Sequence, residues 1–180
     1  IEEGFSHRWI AEDKRHIHIQ DDYADYLAAQ GLRKLAGTEE PGYRAGRMAS
    51  VSLIPWEHQV DVWVGERSVE FIKGCPKDRP YFLWVAFPGP HDPYNPPAEI
   101  LDSMRTADEF PFSIPGTADS QTFQRSFIQA HLTGSAQADY REFPELAKQT
   151  IRRHYAGLVQ IIDQQVGRIL NAIEEQDSER

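Results

Sequence analysis

At 180 residues, 40% of them hydrophobic and 26% charged, the chain has the size and composition of a globular domain with its own core. A formal net charge of −9 argues against nucleic acid as a partner, which would want a basic face, and against attraction to an anionic membrane surface. No apolar run approaches the roughly 20 residues of a membrane span, and the acidic opening carries no basic-then-apolar leader, so a soluble chain is expected. The single cysteine, Cys75, excludes an internal disulfide and leaves the compartment open.

The first 20 residues are polar and mixed, with "HIHI" at His16–Ile19 as a marginal candidate strand. "DDYADYLAAQG" then predicts a helix: Asp21 or Asp22 caps it, Tyr23, Tyr26 and Leu27 form its apolar side, and Gly31 stops it. Residues 37–50 read as loop. In "IPWEHQVDVWVGERSVEFIKG", Pro55 suits a helix start, Val60, Trp63, Val64, Phe71 and Ile72 recur at near-helical spacing, and Gly74 follows the end. After the turn "CPKDRP", the run "YFLWVAF" (81–87) is continuous, apolar and bounded by Pro80 and Pro88, as a strand covered on both faces would be.

A proline loop follows, and "PPAEILDSM" predicts a short helix opened by Pro97. Residues 106–122 read as an irregular polar excursion, and 123–133 as a helix. The last element is the longest: Ile151, Tyr155, Leu158, Ile162, Val166, Ile169 and Ile173 keep a 3.6-residue period. The expected fold class is therefore α/β, mainly helices around at least one buried strand (about 80–87). A buried strand must pair its N–H and C=O groups, so a lone strand implies that most of the sheet is encoded elsewhere.

Few residues carry a chemical signal. His91 lies four positions past Phe87, in "PGPHDPYNPP". Ligands of open α/β sheets sit beyond the carboxyl ends of the strands. Flanking prolines restrict the loop, so the imidazole is held where it can donate to an anion or relay a proton. The plainer alternative is a histidine that bonds to loop backbone. Asp21 and Asp22 resemble a paired-carboxylate cation site, but helix capping explains them better. His16 and His18 would share a face of a strand, with no cluster to complete a metal site. Glu57 suits the start of a helix dipole and His58 a surface or interface role. Asp163 and Gly167 suit a hydrogen-bonded contact and a close approach on the final helix.

Three stretches in the right order resemble the sulfatase family of the alkaline-phosphatase-like superfamily. They are "SLIPWEHQVDVWVGERSVEFI", "DRPYFLWVAFPGPHDPYNPPAEILD" with its Pro-His-x-Pro loop, and "RRHYAGLVQIIDQQVGRILNAIEE" with its Tyr…Asp-x-x-Val-Gly-Arg-Ile-Leu pattern; "DDYADYLAAQGL" is a fourth, looser match. Together they cover about half the chain. The resemblance implies that residues 1–180 are the middle segment of a sulfatase catalytic domain, a hydrolase of sulfuric esters. It implies that His91 is the catalytic and substrate-binding residue, donating to a sulfate oxygen or assisting the leaving oxygen. The implied substrate is a small sulfate ester or a sugar sulfate.

The same resemblance implies Ca2+ or a similar divalent cation and a formylglycine in the intact enzyme. Neither is expected in this chain, because the paired metal carboxylates and the Cys-x-Pro-Ser-Arg signature have no convincing match. In "CPKDR" the proline stands one place early and Asp78 replaces the serine, so Cys75 reads as structural. The isolated chain is thus expected to be inactive. Two other readings stay open: a segment of a phosphonate monoester hydrolase or phosphodiesterase of the same superfamily, and a non-catalytic interaction module using 106–122 as a binding loop. A homo-oligomer in which copies complete each other's sheet is a further expectation.

Overall fold

The structure, a computed structural model, describes residues 4–112, 114, 117 and 144–178. The helix expected over 123–133 lies outside the described residues, as does most of the excursion after Phe112.

Helices form where a cap and an apolar face coincide. Helix α1 runs Asp22–Ala29. Asp21 caps it by accepting the Ala24 N–H at 2.8 Å, and Gly31 turns the chain away at φ 73°, where a side chain would be strained. The same Asp21 carboxylate accepts the Glu12 N–H at 2.7 Å and pairs with the buried Lys34 ammonium. Helix α2 runs Val60–Gly74. Pro55 opens only a single 3-10 turn, Trp56–His58, and the α-helix starts after it. Helix α3, Ala98–Asp102, opens after Pro97 as expected, and α4 runs Glu145–Ser178.

The chain divides into two compact units: Ile1–Leu35 with Ile54–His91 and Val159–Arg180, and Ala36–Leu53 with Asp92–Leu158. In the first unit, Tyr23 and Leu27 of α1 and Val60 and Trp63 of α2 form a buried cluster, with Ala11, Leu32 and Ile54 packed against it. The Tyr23 ring meets Trp63 at 5.6 Å, and its hydroxyl donates to the His58 carbonyl at 2.7 Å. Gly65 lets α2 approach α4, since a Cβ there would lie 2.6 Å from the Gln165 side-chain oxygen. Near the α2 C-terminus, Gln176 Nε2 donates at 2.7 Å to the Ile72 carbonyl, which also accepts the Cys75 N–H at 3.2 Å.

In the second unit a parallel bridge joins Ala49 to Tyr94, through Tyr94 N–H to Met48 O at 2.8 Å and Ser50 N–H to Tyr94 O at 3.1 Å. Gly157 of α4 allows contact with Pro96 and Ile100, where a Cβ would sit 3.0 and 3.2 Å from side-chain carbons. Arg153 donates to the Leu101 carbonyl at 2.7 Å, capping the short α3.

Three expectations need correction. The buried strand at 80–87 does not form: among the described residues that bridge is the only β pairing. Residues 81–87 form no regular element and alternate half-buried with exposed; Phe82 and Trp84 are 71% and 72% exposed. The burial keeps a period of two, but among the described residues no segment pairs with it in a ladder. The "HIHI" stretch is a turn, closed by His16 N–H to Asp13 O at 2.8 Å and Ile19 N–H to His16 O at 3.1 Å. On α4 the buried stripe is His154, Leu158, Ile161, Gln165, Ala172 and Gln176, whereas Tyr155 and Val166 face outward. The helical period holds, but the stripe is rotated because two glutamines and a histidine there bond to backbone or pack at glycine.

Candidate active site

His91 ends the first unit, in a loop whose Gly89–Pro90 and Asp92–Pro93 peptides are cis. Its side chain is 41% exposed, so the imidazole is reachable from solvent. Two acidic residues from separate parts of the unit hold its surroundings.

The first is Asp61, in the opening turn of α2 and 2% exposed. Its Oδ1 accepts the Gly89 N–H at 2.9 Å. Position 89 has to be glycine for this clasp, because a Cβ would stand 2.3 Å from Asp61 Oδ2. Burial pushes the Asp61 carboxyl above the usual carboxylate range, against the Lys14 charge and the Gly89 N–H, which favour the anion.

The second is Asp13. Its Oδ2 lies 3.8 Å from His91 Nε2. Arg15 grips the carboxylate from the other side, with Nε to Oδ1 and Nη2 to Oδ2 both at 3.1 Å and the Arg15 N–H to Oδ1 at 2.9 Å. Partial burial disfavours the Asp13 anion. The Arg15 hydrogen bonds, with the charges of His91 and Arg15, outweigh it and hold the carboxyl at about 2. Asp13 is therefore a fixed anion at neutral pH.

In the second unit the chain after His91 is anchored rather than open. His154 Nδ1 lies 3.0 Å from the carbonyls of both Ser50 and Tyr94, so it carries a proton shared between them. Burial holds its pKa below the ordinary value. Buried Glu40 accepts Ser50 Oγ and Asn95 Nδ2, both at 2.7 Å. Pro96 and Pro97 are fully buried there. Neither His154 nor Glu40 stood out in the sequence. The available signal for His154 was its place one turn before Leu158 on the buried side of α4.

The other candidates resolve into structural parts. Tyr26 and His58 share a 2.7 Å hydrogen bond, an interface role between α1 and the turn before α2. Cys75 ends α2, its N–H bonded to Ile72 O at 3.2 Å and its carbonyl accepting from Gln176 at 3.3 Å. Asp21 is spent on the cap and on Lys34. His16 and His18 are exposed, their rings 6.1 Å apart. Asp163 is exposed, and nothing lies within 4 Å of a Cβ at Gly167, so the close approaches expected there occur at Gly65 and Gly157 instead.

Among the described residues no three His, Cys, Asp or Glu side chains gather into a group that could hold a metal ion. The donors among the described residues do not fit a divalent cation, and no step through one is derived from them. No described helix is long and apolar enough to cross a membrane. A separate cavity of about 380 Å³ in the first unit is walled by Trp9, Trp63, Phe71, Leu83 and Val85, without His91.

Compared with known protein families, the chain matches the model described as Sulfatase over residues 16–180. No curated protein matches it.

Proposed function

This chain belongs to the sulfatase family, and from that premise we propose that it is a segment of a sulfuric ester hydrolase whose contribution to the active site is His91. The observation that carries the proposal is the held but accessible imidazole: its loop is clasped at Gly89 by buried Asp61, while the ring stays 41% exposed. A histidine so placed donates N–H to a sulfate oxygen, or gives a proton to the ester oxygen as the S–O bond breaks. Donation to a group that gains charge in the transition state lowers the barrier because the donor is fixed before the reaction begins.

The family carries a divalent cation and a formylglycine for the nucleophilic step. The described residues gather no cation site and the sequence carries no Cys-x-Pro-Ser-Arg signature, so the 180-residue chain alone is proposed to be inactive. The substrate class is a sulfate ester of a small molecule or a sugar. A phosphate or phosphonate ester presents the same tetrahedral oxyanion to His91, and the test separates the two.

The test is His91→Gln in the complete sulfatase polypeptide that contains this segment, assayed on an aryl sulfate and on the matching phosphate and phosphonate esters. Loss of one such donor lowers kcat about 100- to 1,000-fold. A loss under about tenfold would remove His91 from the mechanism. Preferential turnover of the phosphorus esters would replace the sulfatase reading with a phosphonate hydrolase one. Turnover of aryl sulfate by the isolated chain would refute its inactivity.

A further inference from the structure

We propose that Asp13 is a positioning residue for His91, acting on the imidazole from a turn remote from it in sequence. The inference rests on the reading of His91 as the oxyanion donor and adds a partner to it. Asp13 lies outside the span matched by the family model, which begins at residue 16.

The argument starts from the turn itself. Asp13 O accepts the His16 N–H at 2.8 Å, which closes the Asp13–His16 turn. The Asp13 carboxylate is then fixed by three donors of one residue, the Arg15 N–H, Nε and Nη2. A planar guanidinium that meets both oxygens leaves the carboxylate little freedom to rotate. What remains of its acceptor capacity faces His91 Nε2 at 3.8 Å.

That separation is beyond a hydrogen bond and within the range of a charge–charge contact. It is also one that a small shift of the imidazole closes, and catalytic contacts often tighten only when substrate binds. An imidazolium carries protons on both nitrogens, so an acceptor on one side leaves the other nitrogen a donor. Asp13 thus favours the ring orientation that a donor to sulfate requires.

Lys14 acts electrostatically on Asp61, whose carboxylate holds Gly89 two residues before His91. The charged groups around the loop are then Asp13 and Arg15 toward the ring, Asp61 and Lys14 toward the backbone, and Asp92, which follows His91 in the chain.

A partly exposed pair at this distance gives a modest effect. Asp13→Asn is expected to lower kcat about two- to fivefold with KM nearly unchanged. The test is a double-mutant cycle in the complete sulfatase polypeptide, with aryl sulfate as substrate and Asp13→Asn, Asp13→Glu, His91→Gln and the Asn/Gln double variant. The expected result is that Asp13→Asn slows the wild type but adds nothing in the His91→Gln background, and that Asp13→Glu restores most of the rate. An equal loss in both backgrounds, or no loss in the wild type, overturns the inference while leaving His91 in place. A His91→Gln enzyme as fast as wild type overturns the His91 reading instead.

A second readout uses the 180-residue chain at pH 7 and needs no turnover. The ring 15N resonances of His91, assigned by comparison with His91→Gln, are expected to move in Asp13→Asn and return in Asp13→Glu. Resonances that stay put in a folded Asp13→Asn chain also overturn the inference.

Discussion

Replacing Gly89 with alanine tests the clasp that holds the His91 loop. An added Cβ would lie 2.3 Å from Asp61 Oδ2, 2.9 Å from Cγ and 3.0 Å from Oδ1, and these are its three nearest neighbours. An ordinary contact is near 3.5 Å, so the carboxylate has to retreat by about 1 Å, and Asp61 is only 2% exposed. Overpacking of this kind costs about 1–3 kcal/mol. Loosening the 2.9 Å bond that Gly89 N–H gives the buried Asp61 carboxyl costs about 1–3 kcal/mol more. Restricting the unfolded chain at position 89 returns about 0.4–1 kcal/mol.

The net expectation is a loss of about 2–3 kcal/mol. Urea unfolding of the chain reads it as a fall in midpoint at unchanged m-value. The discriminating measurement is the same substitution in an Asp61→Ala background. The three clashing atoms are then gone, and Gly89→Ala should cost under about 0.5 kcal/mol. Equal costs in the two backgrounds would refute the clasp, because they would place the strain of alanine in the backbone and not against Asp61.

Three further outcomes follow from the buried polar groups. Asp21→Ala removes the α1 cap and strands the Lys34 ammonium, whose side chain is 7% exposed; a loss of about 3–5 kcal/mol is expected, and thermal melts showing under 1 kcal/mol would contradict the pairing. His154 has its pKa held down by burial, so its contribution to stability is present above the ordinary value of 6.5 and is lost as pH falls below it. Wild-type Tm should therefore drop faster than that of His154→Gln between pH 7.5 and 5, and parallel curves would count against it. The carboxyls of Asp13 and Asp21 are depressed, so their stabilisation is complete above 3.8 and lost as pH falls below it, for Asp13 through about 2, while Asp61, shifted upward, works in the opposite sense as pH rises past 3.8. The acid limb of a urea-midpoint titration should be shallower in Asp13→Asn and Asp21→Asn, and unchanged limbs would refute the assignment.

Local signals carried far in this chain. Asp21 before an apolar run and Gly31 after it marked α1 to within a residue, because capping and left-handed φ are properties of neighbouring residues alone. Pro97 before α3 and the 3.6-residue period of α4 belong to the same class. The continuous apolar run 81–87 read as a buried strand, and that reading failed. Whether it becomes a strand depends on partners along its edges, and these are contributed from other parts of a fold. Composition cannot report them.

The candidate site divides along the same line. His91 was legible because prolines around an ionisable residue, just past an apolar run, leave a mark in one dimension. Asp61 was hidden: an aspartate in the first turn of a helix looks like dipole chemistry until the fold turns it inward onto Gly89, 28 residues away. Asp13 was hidden for the same reason, 78 residues from His91 across an uninformative polar stretch, and His154 and Glu40 sat unmarked beside the backbone groups they satisfy. Sequence by itself marked the described helices and singled out the one histidine worth asking about. Which acids face that loop was decided only by tertiary structure, because an ion pair or a buried hydrogen bond depends on separation in space, and separation along the chain says almost nothing about it.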